Sequence, residues 1–134
     1  MTNLANIEGI GSTYATKLFE IGIVTTEGLL TRGATPAGRA EIAEQTRIDP
    51  DKVLEWVNRA DLFRIKGVAE EYSDLLEAAG VDTVPELAQR NPANLLAKMM
   101  EVNADKKLVR RMPTQNEVSR WIDHAKVLPR RITY

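Results

Sequence analysis

The chain contains no cysteine. That excludes a disulfide framework and any thiolate metal site. It has one histidine, His124, whose neighbour Asp123 points to a different helical face. One imidazole and one diverging carboxylate do not make a metal site. No Ser-His-Asp or Cys-His nucleophile system assembles around it either. No apolar run is long enough to cross a bilayer. The segment Met1 to Asn6 has neither the basic head nor the apolar core of a signal peptide. There is no Walker-type loop, and a lone Gly-x-Gly without a preceding strand is no dinucleotide fingerprint. These absences lead to the expectation of a cytoplasmic, soluble, non-enzymatic protein with no cofactor, no small-molecule substrate and no membrane contact.

What the chain does have is a repeated pattern. Ile7-Glu8-Gly9-Ile10-Gly11 is followed by Tyr14, Leu18, Gly22, Ile23, Thr25 and Leu29. The pattern returns 58 residues later as Ile65-Lys66-Gly67-Val68-Ala69, then Tyr72, Leu76, Gly80, Val81, Thr83 and Leu87. A second echo pairs Val53, Trp56, Val57 and Ala60 with Val118, Trp121, Ile122 and Ala125, now 65 apart. The change in spacing implies about seven extra residues in the second copy, between Glu101 and Met112. Residues 1–63 and 64–134 therefore read as two pseudo-repeated units. At 134 residues they are expected to pack as one compact body.

Periodicity is helical throughout, and the expected fold class is all-α with eight or nine short helices. Residues 12–21 carry an apolar face and stop at Gly22; residues 69–79 do the same and stop at Gly80. Thr25 or Thr26 caps a short helix running to Leu30. Thr35-Pro36, Asp49-Pro50 and Asn91-Pro92 place a capping side chain before a helix-opening proline. Thr83 to Glu86 and Thr114 to Glu117 have capping-box spacing. Trp56 and Trp121 read first as core or packing residues, with Trp56 beside the stripe of its helix. Met99 and Met100 read first as gap-filling core and second as an adaptable interface.

Glycines two apart with an apolar residue between suit a tight turn between helices, with backbone amides facing outward. A helix starting after Gly11 would offer its free N–H groups to an anion. Ser12, Thr13 and Lys17 lie within reach of the same point. The hairpin Gly9-Ile10-Gly11 with Ile7 before it, then Tyr14, Leu18, Gly22, Ile23 and the Thr25–Leu29 segment, resembles the helix-hairpin-helix superfamily. The tandem arrangement is similar to an uncharacterised bacterial family built from two such modules. The resemblance covers residues 4–31 well and 65–88 less fully. It implies a helical fold whose hairpin amides grip a phosphate of the DNA backbone, with Gly9, Gly11, Ser12, Thr13 and Lys17 as contact residues.

Charge argues in another direction. Residues 1–97 carry nine Lys/Arg against fifteen Asp/Glu, and residues 98–134 carry nine against four. The second copy has Ala69, Glu70, Glu71 and Leu75 where the first has Gly11, Ser12, Thr13 and Lys17. Two carboxylates at a helix start satisfy the dipole and repel a phosphate. Non-specific DNA affinity comes mainly from neutralised phosphates, and neither hairpin is basic. The basic end comprises Lys106, Lys107, Arg110 and Arg111, at spacings that would stripe helical faces, and Arg130 and Arg131 in a tail after Pro129. Such an end suits nucleic acid, an acidic protein partner, a second copy, or pairing with the acidic part of the chain itself. The leading expectation is a binding or adaptor module acting mainly through protein–protein interaction or self-association. The alternative is DNA binding through the first hairpin and the basic C-terminal end.

Overall fold

A computed structural model of the chain describes residues 3–7, 9–68 and 70–134. The described residues are all-α: eight α-helices and one 3-10 turn, Leu4–Asn6, with a single isolated bridge between Asn3 and Thr25. Among them no helix is long and apolar enough to cross a membrane. The helices are α1 Ser12–Glu20, α2 Thr26–Arg32, α3 Pro36–Thr46, α4 Pro50–Leu62, α5 Glu70–Ala78, α6 Val84–Ala88, α7 Pro92–Lys106 and α8 Gln115–Val127.

Helix boundaries follow from local chemistry. Thr25 and Thr35 each accept a hydrogen bond from the third backbone N–H beyond them, at 3.0 and 3.1 Å. Asn91 does the same for Asn94 at 3.1 Å, and Asp49 accepts from Asp51 at 2.8 Å. At Thr114 both halves of the capping box form: Glu117 N–H donates to Thr114 Oγ1, and Thr114 N–H donates to Glu117 Oε1. The box expected at Thr83 does not form: Thr83 makes no side-chain cap bond, and Glu86 Oε1 accepts from Arg90 at 3.1 Å. At the other ends, α1 and α5 unwind through equivalent bonds. Ile23 N–H donates to Leu18 O and Val81 N–H to Leu76 O, both at 2.9 Å, around a left-handed Gly22 and Gly80.

The chain divides into two compact units, Met1–Phe63 with Arg131–Tyr134, and Arg64–Arg130. In the first, α4 lies against α2 and α3. Its core joins Leu4, Ile7, Ile10, Leu18, Ile23, Leu29, Leu30, Ile42, Val53, Trp56 and Val57. Trp56, expected beside the helical stripe, is buried within that core. Two close approaches explain why glycine stands at positions 33 and 38. A Cβ on Gly33 would collide with the Val57 side chain, and one on Gly38 with the Arg32 carbonyl.

The last four residues group with the first unit, not with the second as the expected boundary of 64–134 has it. The reason is local: Ile132 is buried in the first core. Around it Thr133 N–H donates to Ala34 O at 2.8 Å, Arg131 reaches Glu27 at 2.6 Å and Thr31 at 2.9 Å, and the Tyr134 hydroxyl meets Asn58 Oδ1 at 2.8 Å. The buried Arg39 ties the strap down, donating to Gly33 O at 2.9 Å and Thr133 O at 2.7 Å.

In the second unit α8 lies against α6 and α7, and α5 against α7. Buried apolar residues run from Ile65 and Val68 through Leu75, Leu76, Val81, Val84, Leu87, Leu95 and Met99 to Val118, Trp121 and Ile122. Met100 is exposed, so of the adjacent methionines only Met99 fills core. α7 has 15 residues where α3 has 11, and segment 107–114 follows it where 47–49 follows α3.

Candidate functional site

The first hairpin is closed by Ile10 N–H donating to Ile7 O at 3.2 Å, with both isoleucines buried beneath it. Gly9 carries φ 92°, a conformation that L side chains rarely adopt. Trp56 of α4 supports the turn from below. Its Nε1 lies 3.4 Å from where a Gly9 Cβ would stand, and its ring is 5.1 Å from that of Tyr14. α1 starts directly after Gly11, which occupies the cap position with no side chain to give, and no side-chain cap bond forms there among the described residues. Gly9, Gly11, Ser12 and Thr13 are exposed. Lys17 is half-buried, its ammonium 6.0 Å from the Tyr14 ring centroid. The structure thus gathers these five residues on the hairpin and the first two turns of α1. Glu8, the remaining member of the hairpin motif, lies outside the described residues.

The second hairpin has the same turn. Val68 N–H donates to Ile65 O at 3.1 Å, Gly67 has φ 92°, and the Trp121 and Tyr72 rings meet tilted, 5.2 Å apart. The helix that follows opens with exposed Glu70 and Glu71, and Leu75 is buried. Ala69 lies outside the described residues.

The basic end does not form the helical stripe its spacing suggested. α7 stops at Lys106, because Lys107 turns left-handed at φ 53° and Asn103 hydrogen-bonds both the N–H and the carbonyl of Val109, at 3.0 and 3.2 Å. Arg110 and Arg111 therefore lie on the segment leading to α8. Arg111 is bidentate to Glu117 at 2.8 and 3.0 Å and stands 5.9 Å from the Tyr72 ring centroid. The Tyr72 hydroxyl donates to Arg111 O at 3.0 Å. The guanidinium, then the Thr114 backbone N–H, pull the Glu117 carboxyl down to about 2. Arg131 is paired within the first unit, as described above. Lys106, Lys107, Arg110 and Arg130 are exposed. The six basic residues are thus divided between the two units, and two of them hold the fold.

A feature with no signal in the sequence is a groove on the first unit between α3 and α4. It has a volume of about 660 Å³, with Pro36, Ala40, Ala43, Ile48, Pro50 and Leu54 as its apolar lining. Glu44, Asp49 and Asp51 give it an acidic rim, against Arg47. Arg39 also lines it, but its guanidinium is committed to Gly33 O and Thr133 O. Only helix packing brings these residues together. The small residues Ala40 and Ala43 read in sequence as ordinary helix formers.

The family model described as Domain of unknown function (DUF4332) matches residues 8–128. No solved structure matches the chain. The chain belongs to the DUF4332 family.

Proposed function

We propose that this member of the DUF4332 family is a non-enzymatic binding module that acts mainly through protein–protein contact, with the α3–α4 groove as its docking face. The observation that carries the reading is the groove itself: an apolar lining of alanines, prolines, Ile48 and Leu54, with three carboxylates that outnumber Arg39 and Arg47. That chemistry suits a short partner segment with an apolar anchor and a basic flank. The state of the basic residues supports the same choice. Arg111 and Arg131 already serve Glu117 and Glu27, which leaves less positive charge to neutralise phosphates.

The test is peptide selection from a random library against the full chain. Selected peptides are expected to combine a large apolar residue with Lys or Arg. They should lose binding to Ala40→Trp, which fills the groove from an exposed position, and weaken against Glu44→Lys. Peptides that bind Ala40→Trp as well as the parent would sink the proposal.

A second reading is DNA-backbone contact at the first hairpin. It is favoured by one observation, the start of α1, where no side-chain cap bond forms among the described residues and Gly11, Ser12 and Thr13 are exposed. It predicts binding that weakens steeply with salt and is reduced by Lys17→Glu or by Arg110→Glu with Arg111→Glu. Unchanged affinity in both variants would eliminate it.

A further inference from the structure

A pocket of about 440 Å³ opens on the second unit, lined by Lys66, Gly67, Glu117, Arg120, Trp121 and His124. Its size falls within the roughly 300–1,000 Å³ of small-ligand sites. Lys66 and Gly67 come from the hairpin turn. The others come from α8, at the three- and four-residue spacing that places them on one face.

The lining donates and hardly accepts. Lys66 and Arg120 are exposed, and neither is paired with a carboxylate among the described residues. Glu117 is the one acidic group in the lining, and both its oxygens are taken by Arg111, with Oε1 also accepting from Thr114 N–H. His124 Nδ1 accepts the Lys66 backbone N–H at 3.2 Å, which leaves Nε2 as the ring nitrogen that donates. Trp121 is 97% buried, yet its indole N–H has no acceptor among the described residues. That N–H is not sealed in, since among the described residues no fully enclosed side-chain nitrogen or oxygen lacks a partner. It lies against Gly67, where a Cβ would stand only 3.1 Å from Nε1. The bare glycine keeps the indole edge open to the pocket.

Two full positive charges, an imidazole and an otherwise buried indole N–H converge on one space. A tetrahedral dianion has the charge and the number of acceptor oxygens to satisfy them. We infer that this pocket binds a small phosphomonoester, held by Lys66, Arg120 and His124 with the Trp121 N–H as an additional donor. The site uses side chains of α8 and the turn rather than the start of α5, where Glu70 and Glu71 oppose an anion. It is independent of the groove on the first unit.

The chain has two tryptophans, so its ¹H–¹⁵N spectrum has two indole signals, assigned by Trp56→Phe. Titration of the full chain with glycerol 2-phosphate is expected to move the Trp121 signal saturably and leave that of Trp56 in place. Dimethyl phosphate, a diester with one charge, is expected to bind about tenfold more weakly. Arg120→Glu should lose about tenfold or more in affinity while leaving the ligand-free spectrum folded, and Lys66→Ala should weaken binding as well. The inference is overturned by any of three results: no saturation, equal movement of both indole signals, or a diester or Arg120→Glu titration matching that of the parent with glycerol 2-phosphate.

Discussion

Gly9 stands at φ 92° over Trp56 and Tyr14, and Gly67 stands at φ 92° over Trp121 and Tyr72. Around these equal turns the charges are arranged differently. The first hairpin feeds a helix that opens with exposed Ser12 and Thr13 and carries Lys17 in its second turn. The second feeds a helix that opens with Glu70 and Glu71, while its flank on α8 presents Arg120 and His124. A backbone turn held by buried isoleucines or valine, a glycine and an indole needs nothing from the surface residues beside it. Those residues are free to change, so a shared turn is no guide to a shared ligand.

The comparison is broken most severely by removing its scaffold. Trp56→Ala and Trp121→Ala should each cost about 3–5 kcal/mol, the usual price of emptying a buried aromatic site. Denaturant unfolding measures this. A loss below about 1 kcal/mol in either variant would show that the indole does not support that unit.

Next in size is the strap. Removing residues 131–134 exposes the pocket of Ile132 and strips Arg39 of its Thr133 acceptor. The expected cost is about 3 kcal/mol. Amide exchange should speed up in residues 3–63 and stay unchanged in 64–130; equal loss of protection in both units would contradict the placement of the strap.

The two turns themselves come third. Gly9→Ala and Gly67→Ala place a Cβ at positive φ, which costs about 1–2 kcal/mol. Gly67→Ala should be the more harmful, since its Cβ would lie 3.1 Å from an indole nitrogen instead of 3.4 Å. Thermal melts of the pair decide the order, and the reverse order would overturn this account of the turn.

The smallest effect concerns Glu117. Its folded pKa, about 2, lies below the ordinary 4.5. The unfolded state therefore takes up the proton first as pH falls. The contribution is complete above about pH 4.5 and disappears on descending to about 2. Glu117→Gln should flatten the acid limb of stability in that window and leave neutral-pH binding at the α3–α4 groove intact. A carboxyl titration by NMR that finds Glu117 at its ordinary value would remove the basis for this expectation.

Much of the helical framework was legible, because helix starts are written in short-range chemistry. Thr25, Thr35, Asp49, Asn91 and Thr114 each cap a helix through their own side chain, and proline follows directly at positions 36, 50 and 92. Thr83 misled because Glu86 has a nearby competitor in Arg90, a choice that capping-box spacing alone does not settle. The basic stripe misled because Asn103 gathers the backbone of Val109 and ends the helical path before Arg110.

The strap, the α3–α4 groove and the pocket beside Trp121 were not legible for a different reason. Each depends on residues far apart in sequence meeting through packing: Ile132 with the first core, Pro36 with Leu54, Lys66 with His124. The five first-hairpin residues were legible as a group because they lie within nine positions of one another, from Gly9 to Lys17. Their spacing does not reveal what they contact.

On the proposed function this chain engages protein rather than nucleic acid, with Arg111 and Arg131 of its basic complement paired within its own fold. Fluorescence anisotropy with labelled single- and double-stranded DNA, at low and moderate salt, tests it most directly. The account predicts no saturable binding at micromolar protein even at low salt. Micromolar or tighter binding that falls steeply with salt and is lost in Lys17→Glu would contradict it, and would make the first hairpin the functional site.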